Sequence, residues 1–455
     1  MKIALHFLLL LIAFTVNAQN FWTEVSPFAE TPPYYNVADI SIVSENVIWV
    51  SGLANTTTVN SKWSRSLDGG VTWQDGEIEL GNTNLGIASL HATSETSAYV
   101  AAFPTTSTAI GGIWMTNDSG ITWNQQLGQD WNAADNIFPN FVHFWNANDG
   151  IVVCDPIPNG SFQIYTTVNA GLNWTLVPSE NIPTPLTNEY AYTRNFDETS
   201  GAFWFGTNKG RLFYTNISDL NNGLVWQTFQ TPVNDFSSSE IAAAYAFKNQ
   251  NEGLLVSSDL NLWRTTNSGA SWNQESPNGF IRNLTLTYVT GTLNSYFSTG
   301  DNDLQNSRGS AYTTDGGLNW INLDDVDEDP VFPQVVKFAS GTTGFCVGTY
   351  LSDMGGTKHF FRMTDPMNRL LKKDSFEDKI KFSATPNPTG GLVNLSGSNI
   401  SNVNIIDVSG KIIHSENYNG LSEVTLNLSN FRNGIYFAKV TATDGGSSTI
   451  KIIKN

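Results

Sequence analysis

The chain has 455 residues, with 23 Lys+Arg against 41 Asp+Glu, giving a formal net charge of −18. Acidity on that scale repels phosphate backbones and excludes nucleic acid as the expected partner. Only 14% of residues are charged while 12% are aromatic, a balance that suits an all-β chain of short strands and tight turns, long enough for one large core and a small second domain.

The first 18 residues read as a secretory signal. Lys2 supplies the positive start, Ala4 to Val16 is apolar, and Val16-Asn17-Ala18 offers a small-residue cleavage site, so the mature chain is expected to begin near Gln19. That apolar stretch is short for a membrane helix and no later segment could span a bilayer, so no transmembrane segment is expected.

Beyond it, one string recurs. Ser66-Leu67-Asp68-Gly69-Gly70-Val71-Thr72-Trp73 returns with variations ending at Trp123, Trp174, Trp272 and Trp320. A further copy, Thr215 to Trp226, is stretched by an insertion. Ser or Thr opens each turn, Asp or Asn folds its side chain back onto backbone N–H groups, and Gly supplies a positive φ. The turn-forming acidic or amide residues are Asp68, Asp118, Asn169, Asn267 and Asp315, and their expected role is structural. An aromatic precedes most copies (Trp63, Trp114, Tyr165, Trp263, Phe361), so each turn joins two strands. Upstream lie further strand pairs, such as Ile40-Ser41-Ile42 with Val47-Ile48-Trp49-Val50, making four antiparallel strands per unit.

The box tryptophans are spaced by 50, 51, 52, 46 and 48 residues, and 51 residues before Trp73 stands Trp22. Phe361-Arg362-Met363-Thr364-Asp365 opens a seventh copy without a Trp after it, so the strand at Trp22 is expected to pair there and close a ring. Residues 21–366 divide into seven units of about 49 residues. The string resembles the Asp-box of sialidase-like and sortilin-like propellers. That resemblance implies an all-β fold, a seven-bladed β-propeller over residues 19–366 closed by the N-terminal strand. Cys154 and Cys346 fall in different repeats and are expected to be separate buried thiols.

Residues 367–380 read as a linker, and 381–455 as a small β-domain. Pro386-Asn387-Pro388, Asp407-Val408-Ser409-Gly410-Lys411, Asn433-Gly434-Ile435-Tyr436 and Lys451-Ile452-Ile453-Lys454 arrive in that order. This tail is similar to the type A sorting domain of the type IX secretion system. The resemblance implies a β-sandwich-like export signal that engages the type IX secretion machinery, with the cargo released or held at the outer cell surface.

In propellers, ligands are usually met where the loops between blades converge. Here those loops hold Tyr34, Tyr35, Trp131, Glu189, Tyr190, Glu240 and Arg282, with Phe236, Phe280 and Phe332 beside them. Aromatic faces next to polar groups suit a glycan or protein ligand. Sialidase chemistry needs three arginines on one carboxylate, whereas Arg65, Arg264 and Arg362 adjoin boxes, on the other face, and Phe280-Ile281-Arg282-Asn283 matches the family's F/Y-R-I-P motif poorly. A polysaccharide hydrolase using two carboxylates, such as Glu189 and Glu240, is the alternative to a non-catalytic binding protein. Asp301-Asn302-Asp303 and the acidic run Asp324 to Asp329 lack EF-hand spacing and read as solvated loops. No catalytic residue, metal or cofactor is expected.

Overall fold

The computed structural model describes residues 21–25, 35–54, 61–135, 137–236, 243–300, 309–323, 331–350, 359–363, 382–408, 411–443 and 447–455. The signal segment, the linker and the two acidic loops just named lie outside these residues. The chain divides into two compact units, Met1–Asp365 and Pro366–Asn455.

Among the described residues, the first unit holds seven sheets that follow one another along the chain: 35–77, 85–127, 139–176, 191–230, 244–275, 278–322, and 331–363 together with Trp22–Glu24. We number them 1 to 7. In sheets 1 to 5 the four strands lie side by side in chain order. In sheet 7 the fourth place is taken by Trp22–Glu24, in register Trp22↔Met363, Thr23↔Arg362 and Glu24↔Phe361. Each first strand packs on the first strand of the next sheet, and that of sheet 7 packs on that of sheet 1.

Sheet 6 departs from the four-strand expectation. Asn278–Gly279 adds a short parallel strand beside Asn319–Asn322, tied by the Asn278 N–H to the Leu318 carbonyl at 2.8 Å. Gly279 has φ +85°, and a Cβ there would stand 2.1 Å from the Trp320 carbonyl oxygen. Only glycine lets the backbones come that close.

The apolar cores lie between neighbouring sheets. Trp49, Trp63, Val100 and Trp114 fill one interface, and Phe141, Phe162, Phe205 and Phe213 fill another. Two polar seams join the sheets as well. At the inner edge, where first strands would expose unpaired backbone groups, a side chain of one sheet serves the backbone of the next. Asp39 accepts from the Leu90 N–H at 2.9 Å, Ser41 from Ala92 at 2.8 Å, and Ser89 from Val142 at 3.1 Å. Asp197 accepts from Phe247, and Lys337 of sheet 7 donates to the Ile40 carbonyl of sheet 1, both at 2.5 Å. One-residue bulges at Val37/Asp39 and Ile87/Ser89 come immediately before two of these caps.

The other seam runs through the box turns. In the first, the Ser66 hydroxyl donates to Asp68 and accepts from the Gly70 N–H, while Asp68 accepts from the Thr72 N–H and hydroxyl. The turns at Asp118, Asn169, Asn267 and Asp315 repeat the first three of these bonds. Hydrogen bonds from Thr72 hold the Asp68 carboxyl down at about 2. Four of these five turns then receive a donor from the preceding sheet: Tyr99 to the Ala170 carbonyl, Trp204 to Ser268, Arg264 to Gly316, and Arg362 of sheet 7 to Gly69 of sheet 1. The stretched copy differs, because the Thr215 hydroxyl donates to the Val225 carbonyl and the insertion forms a 3-10 turn capped by Asn216. Cys154 and Cys346 are free and buried, and burial pushes both thiols well up.

The second unit is one five-stranded sheet of Ser383–Thr385, Leu392–Ile406, Ile412–Asn427, Gly434–Ala442 and Ser447–Lys454. Val393, Leu395, Val403, Ile405, Val440 and Ile452 are buried in its core. The tail elements have local reasons. Asn387 donates to the Lys451 carbonyl and accepts from the Ile453 N–H, fastening the first turn to the last strand. Asp407 accepts from the Lys411 N–H to close a hairpin turn, and Lys454 reaches the Asn433 amide oxygen at 3.3 Å.

Candidate binding site

The structure gives the sequence-predicted residues different places and roles. Tyr34 and Glu240 lie outside the described residues. Tyr35 opens the first strand of sheet 1, opposite Ala54. Trp131 is half-buried between sheets 2 and 3, 5.6 Å from the Tyr165 ring, and lines a shallow surface dent with Ala109, Ile110, Gly111 and Ile137.

Glu189 is not an open acceptor. Its side chain is fully buried in an ion pair with Arg211, and it also accepts from the Thr207 hydroxyl and the Leu186 N–H. Burial pushes its carboxyl up, but these donors outweigh burial and hold it below its ordinary value. Arg282 is also drawn inward: its guanidinium donates to Asn322 and sits 5.8 Å from the Phe280 ring. Phe236 and Phe332 are buried, while Phe280 is exposed. Glu189 and Arg282 both lie outside strands, and their partners come from strands 22 and 40 residues later.

Tyr190 is open, 43% exposed, with its ring 5.5 Å from Tyr192. The Tyr192 hydroxyl donates to Asp235 at 2.7 Å, and burial together with Asp235 pushes that phenol up. Tyr192 and Asp235 were missed in the sequence. Their signal is faint: a polar run, Tyr192-Thr193-Arg194-Asn195, where a first strand should alternate.

A second polar group lies deeper along the first strands. His91 and His143 stack edge to face at 4.6 Å, His143 bonds Glu198 at 2.8 Å, and Lys337 stands 3.5 Å from Asp39. Burial, His143 and Lys337 hold His91 well below its ordinary value. Burial pushes Asp197 up to about 7 and Asp155 up to about 6. Both carboxyls accept backbone N–H groups, which is the use the fold makes of them. Among the described residues, no three or more His, Cys, Asp or Glu side chains form a metal-binding cluster, and no helix is long and apolar enough to cross a membrane.

Comparison with known proteins separates scaffold from tail. The chain is similar in fold to YCF48 bound to a D1 peptide, with 18% identity over 76% of this chain and 97% of that one, TM-score 0.51. It is also similar to YCF48 from Cyanidioschyzon merolae, with 15% identity over 75% and 98%, TM-score 0.52. A xyloglucanase of family GH74 from Xanthomonas campestris aligns at 11% identity over 92% of this chain and 66% of that one, TM-score 0.43. No curated protein sequence matches the chain. The two YCF48 likenesses, with the sheets described above, show a propeller-like β fold. Residues 383–455 match the secretion system C-terminal sorting domain, and this type IX tail marks the protein for export to the cell exterior.

Proposed function

We propose that the chain is a non-catalytic recognition protein, a seven-bladed Asp-box propeller that is secreted or displayed outside the cell and binds a glycan or protein. The cyclic packing of seven first strands and the pairing of Trp22–Glu24 with His359–Met363 support seven blades and closure. The box turns support the Asp-box likeness. The proposed organisation is a signal peptide over 1–18, the propeller over 19–366, a linker over 367–380 and the sorting domain over 381–455. Register breaks in Leu392–Ile406 would let its sheet fold over the apolar core, in support of a sandwich-like tail.

The observation that carries recognition over hydrolysis is Glu189. A glycosidase of the usual kind sets two carboxyl groups across the substrate. With Glu189 enclosed by Arg211, Thr207 and Leu186, it cannot be one of them, whereas Tyr190 and Trp131 offer aromatic surface with little chemistry. The test is an array of glycans, polysaccharides and peptides probed with the mature chain. Capture of a glycan or peptide that is lost in Tyr190→Ala or Trp131→Ala supports this reading. Capture indifferent to both changes refutes this face as the site.

A further inference from the structure

The first strand of sheet 4, Ala191–Thr199, breaks the pattern of its neighbours. Sheets 1, 2, 3 and 7 each carry a one-residue bulge near the start of the first strand. In sheet 4 the pairs Ala191↔Thr207 and Phe196↔Phe205 enclose five steps on one strand and two on the other, so a three-residue bulge stands out. Arg194 lies inside it with φ +61°, and no other non-glycine residue within a described strand of this unit has a left-handed backbone. Such a conformation is costly for a bulky residue, and it persists only where its surroundings impose it. Gly206 on the facing strand is part of that arrangement, since a Cβ there would sit 2.5 Å from Asn195 Oδ1. That amide oxygen is buried without a hydrogen-bond partner among the described residues.

The bulge sends Arg194 to sheet 1, where its guanidinium donates to the Ala38 carbonyl. The side chain is exposed, and no carboxylate pairs with it among the described residues. The net charge of −18 opposes anionic ligands at long range, so an exposed guanidinium held only by a neutral carbonyl is a local exception that attracts a carboxylate at short range. A carboxylate accepts from guanidinium in a bidentate fork and is the stronger partner. Tyr190, on the same segment, presents its ring, and Tyr192 is fixed by Asp235.

We propose that this bulge recognises a carboxylate-bearing glycan, a polymer containing uronic acid, with Arg194 receiving the carboxylate and Tyr190 the face of a sugar ring. The inference rests on the reading of this face as a binding face and names its ligand class. A peptide that adds as an extra strand needs free backbone groups at a sheet edge. At the inner edge, the N–H groups of Leu90, Ala92, Val142 and Phe247 are already taken by side chains.

Calorimetry on the mature chain with oligosaccharides of polygalacturonate, alginate and hyaluronan, each beside its carboxyl-reduced counterpart, tests this. The expected result is at least tenfold tighter binding of one acidic form, with that preference lost in Arg194→Gln and partly kept in Arg194→Lys. Wild-type preference and its weakening by salt decide the matter even if a variant folds poorly. Equal affinity for acidic and reduced forms, or a preference unchanged in Arg194→Gln, overturns the uronate inference. Loss of all sugar binding in Tyr190→Ala would then leave the binding face standing. Binding of acidic peptides but of none of these sugars overturns the glycan assignment outright.

Discussion

Glu189 and Arg211 illustrate how burial decides what a charged residue is for. With the carboxylate enclosed and the guanidinium nearly so, removing one partner leaves the other as an uncompensated buried charge. Glu189→Gln is therefore expected to lower stability by about 3–5 kcal/mol, read as a shift in the urea midpoint. A change below about 1 kcal/mol would mean that the pair is solvated. Gly120 makes a second case at this scale. Its φ is +87°, and a Cβ would stand 2.4 Å from the Trp63 ring of the preceding sheet. Gly120→Ala should cost about 2–4 kcal/mol from backbone strain and overpacking together. Thermal unfolding of Gly120→Ala beside Gly81→Ala, whose Cβ would meet nothing within 4 Å though its φ is +72°, separates the clash from the strain.

Elements of this fold are joined through their edges. The first strands would expose a row of unpaired groups, and Asp39, Ser41, Ser89, Asp197 and Lys337 close that row from the neighbouring sheet. His91 sits in the same belt, facing His143, Phe144 and Lys337, with Glu198 on the far side of His143. Because its folded pKa is depressed, the unfolded chain takes up a proton first as pH falls below about 6.5. Its contribution is therefore present above that pH and lost as the medium turns acidic. His91→Gln should flatten the loss of melting temperature between pH 7 and 5. An unchanged slope would assign the acid sensitivity elsewhere.

The elements also differ in how openly the sequence declares them. Box turns are legible because Ser66, Asp68, Gly70 and Thr72 must each stand at a fixed offset for their bonds to close. The pairing of Trp22–Glu24 with the strand His359–Met363 was legible through Trp22, since its spacing continues the box period. The proposed binding face was far less so. Whether Glu189 faces water depends on Arg211 in another strand, and whether Arg194 projects depends on a register shift that no local pattern announces. The short parallel strand at Asn278–Gly279 was hidden for the same reason, as two residues carry no periodicity.

For the first unit as a whole, the proposed closure is the feature on which the rest depends. Trp22 is buried between sheets 6 and 7, 5.8 Å from Phe297, and its strand covers the edge at His359–Met363. Trp22→Ala should cost about 3–5 kcal/mol, and deleting residues 19–25 should add aggregation, because the edge of sheet 7 is then open. Light scattering during heating distinguishes that outcome from simple loss of stability. A deletion that leaves both melting and solubility unchanged would refute closure by the N-terminal strand.

The central claim is that an exported propeller recognises its ligand without transforming it. The most direct measurement follows a captured glycan over many hours with the mature chain in molar excess, counting new reducing ends while bound and free polymer are separated. The account predicts retention of intact polymer, with no reducing ends above those of a heat-unfolded control. Steady release of shortened sugar from the wild type, abolished by changing one carboxylate to its amide, would contradict it and establish a hydrolase.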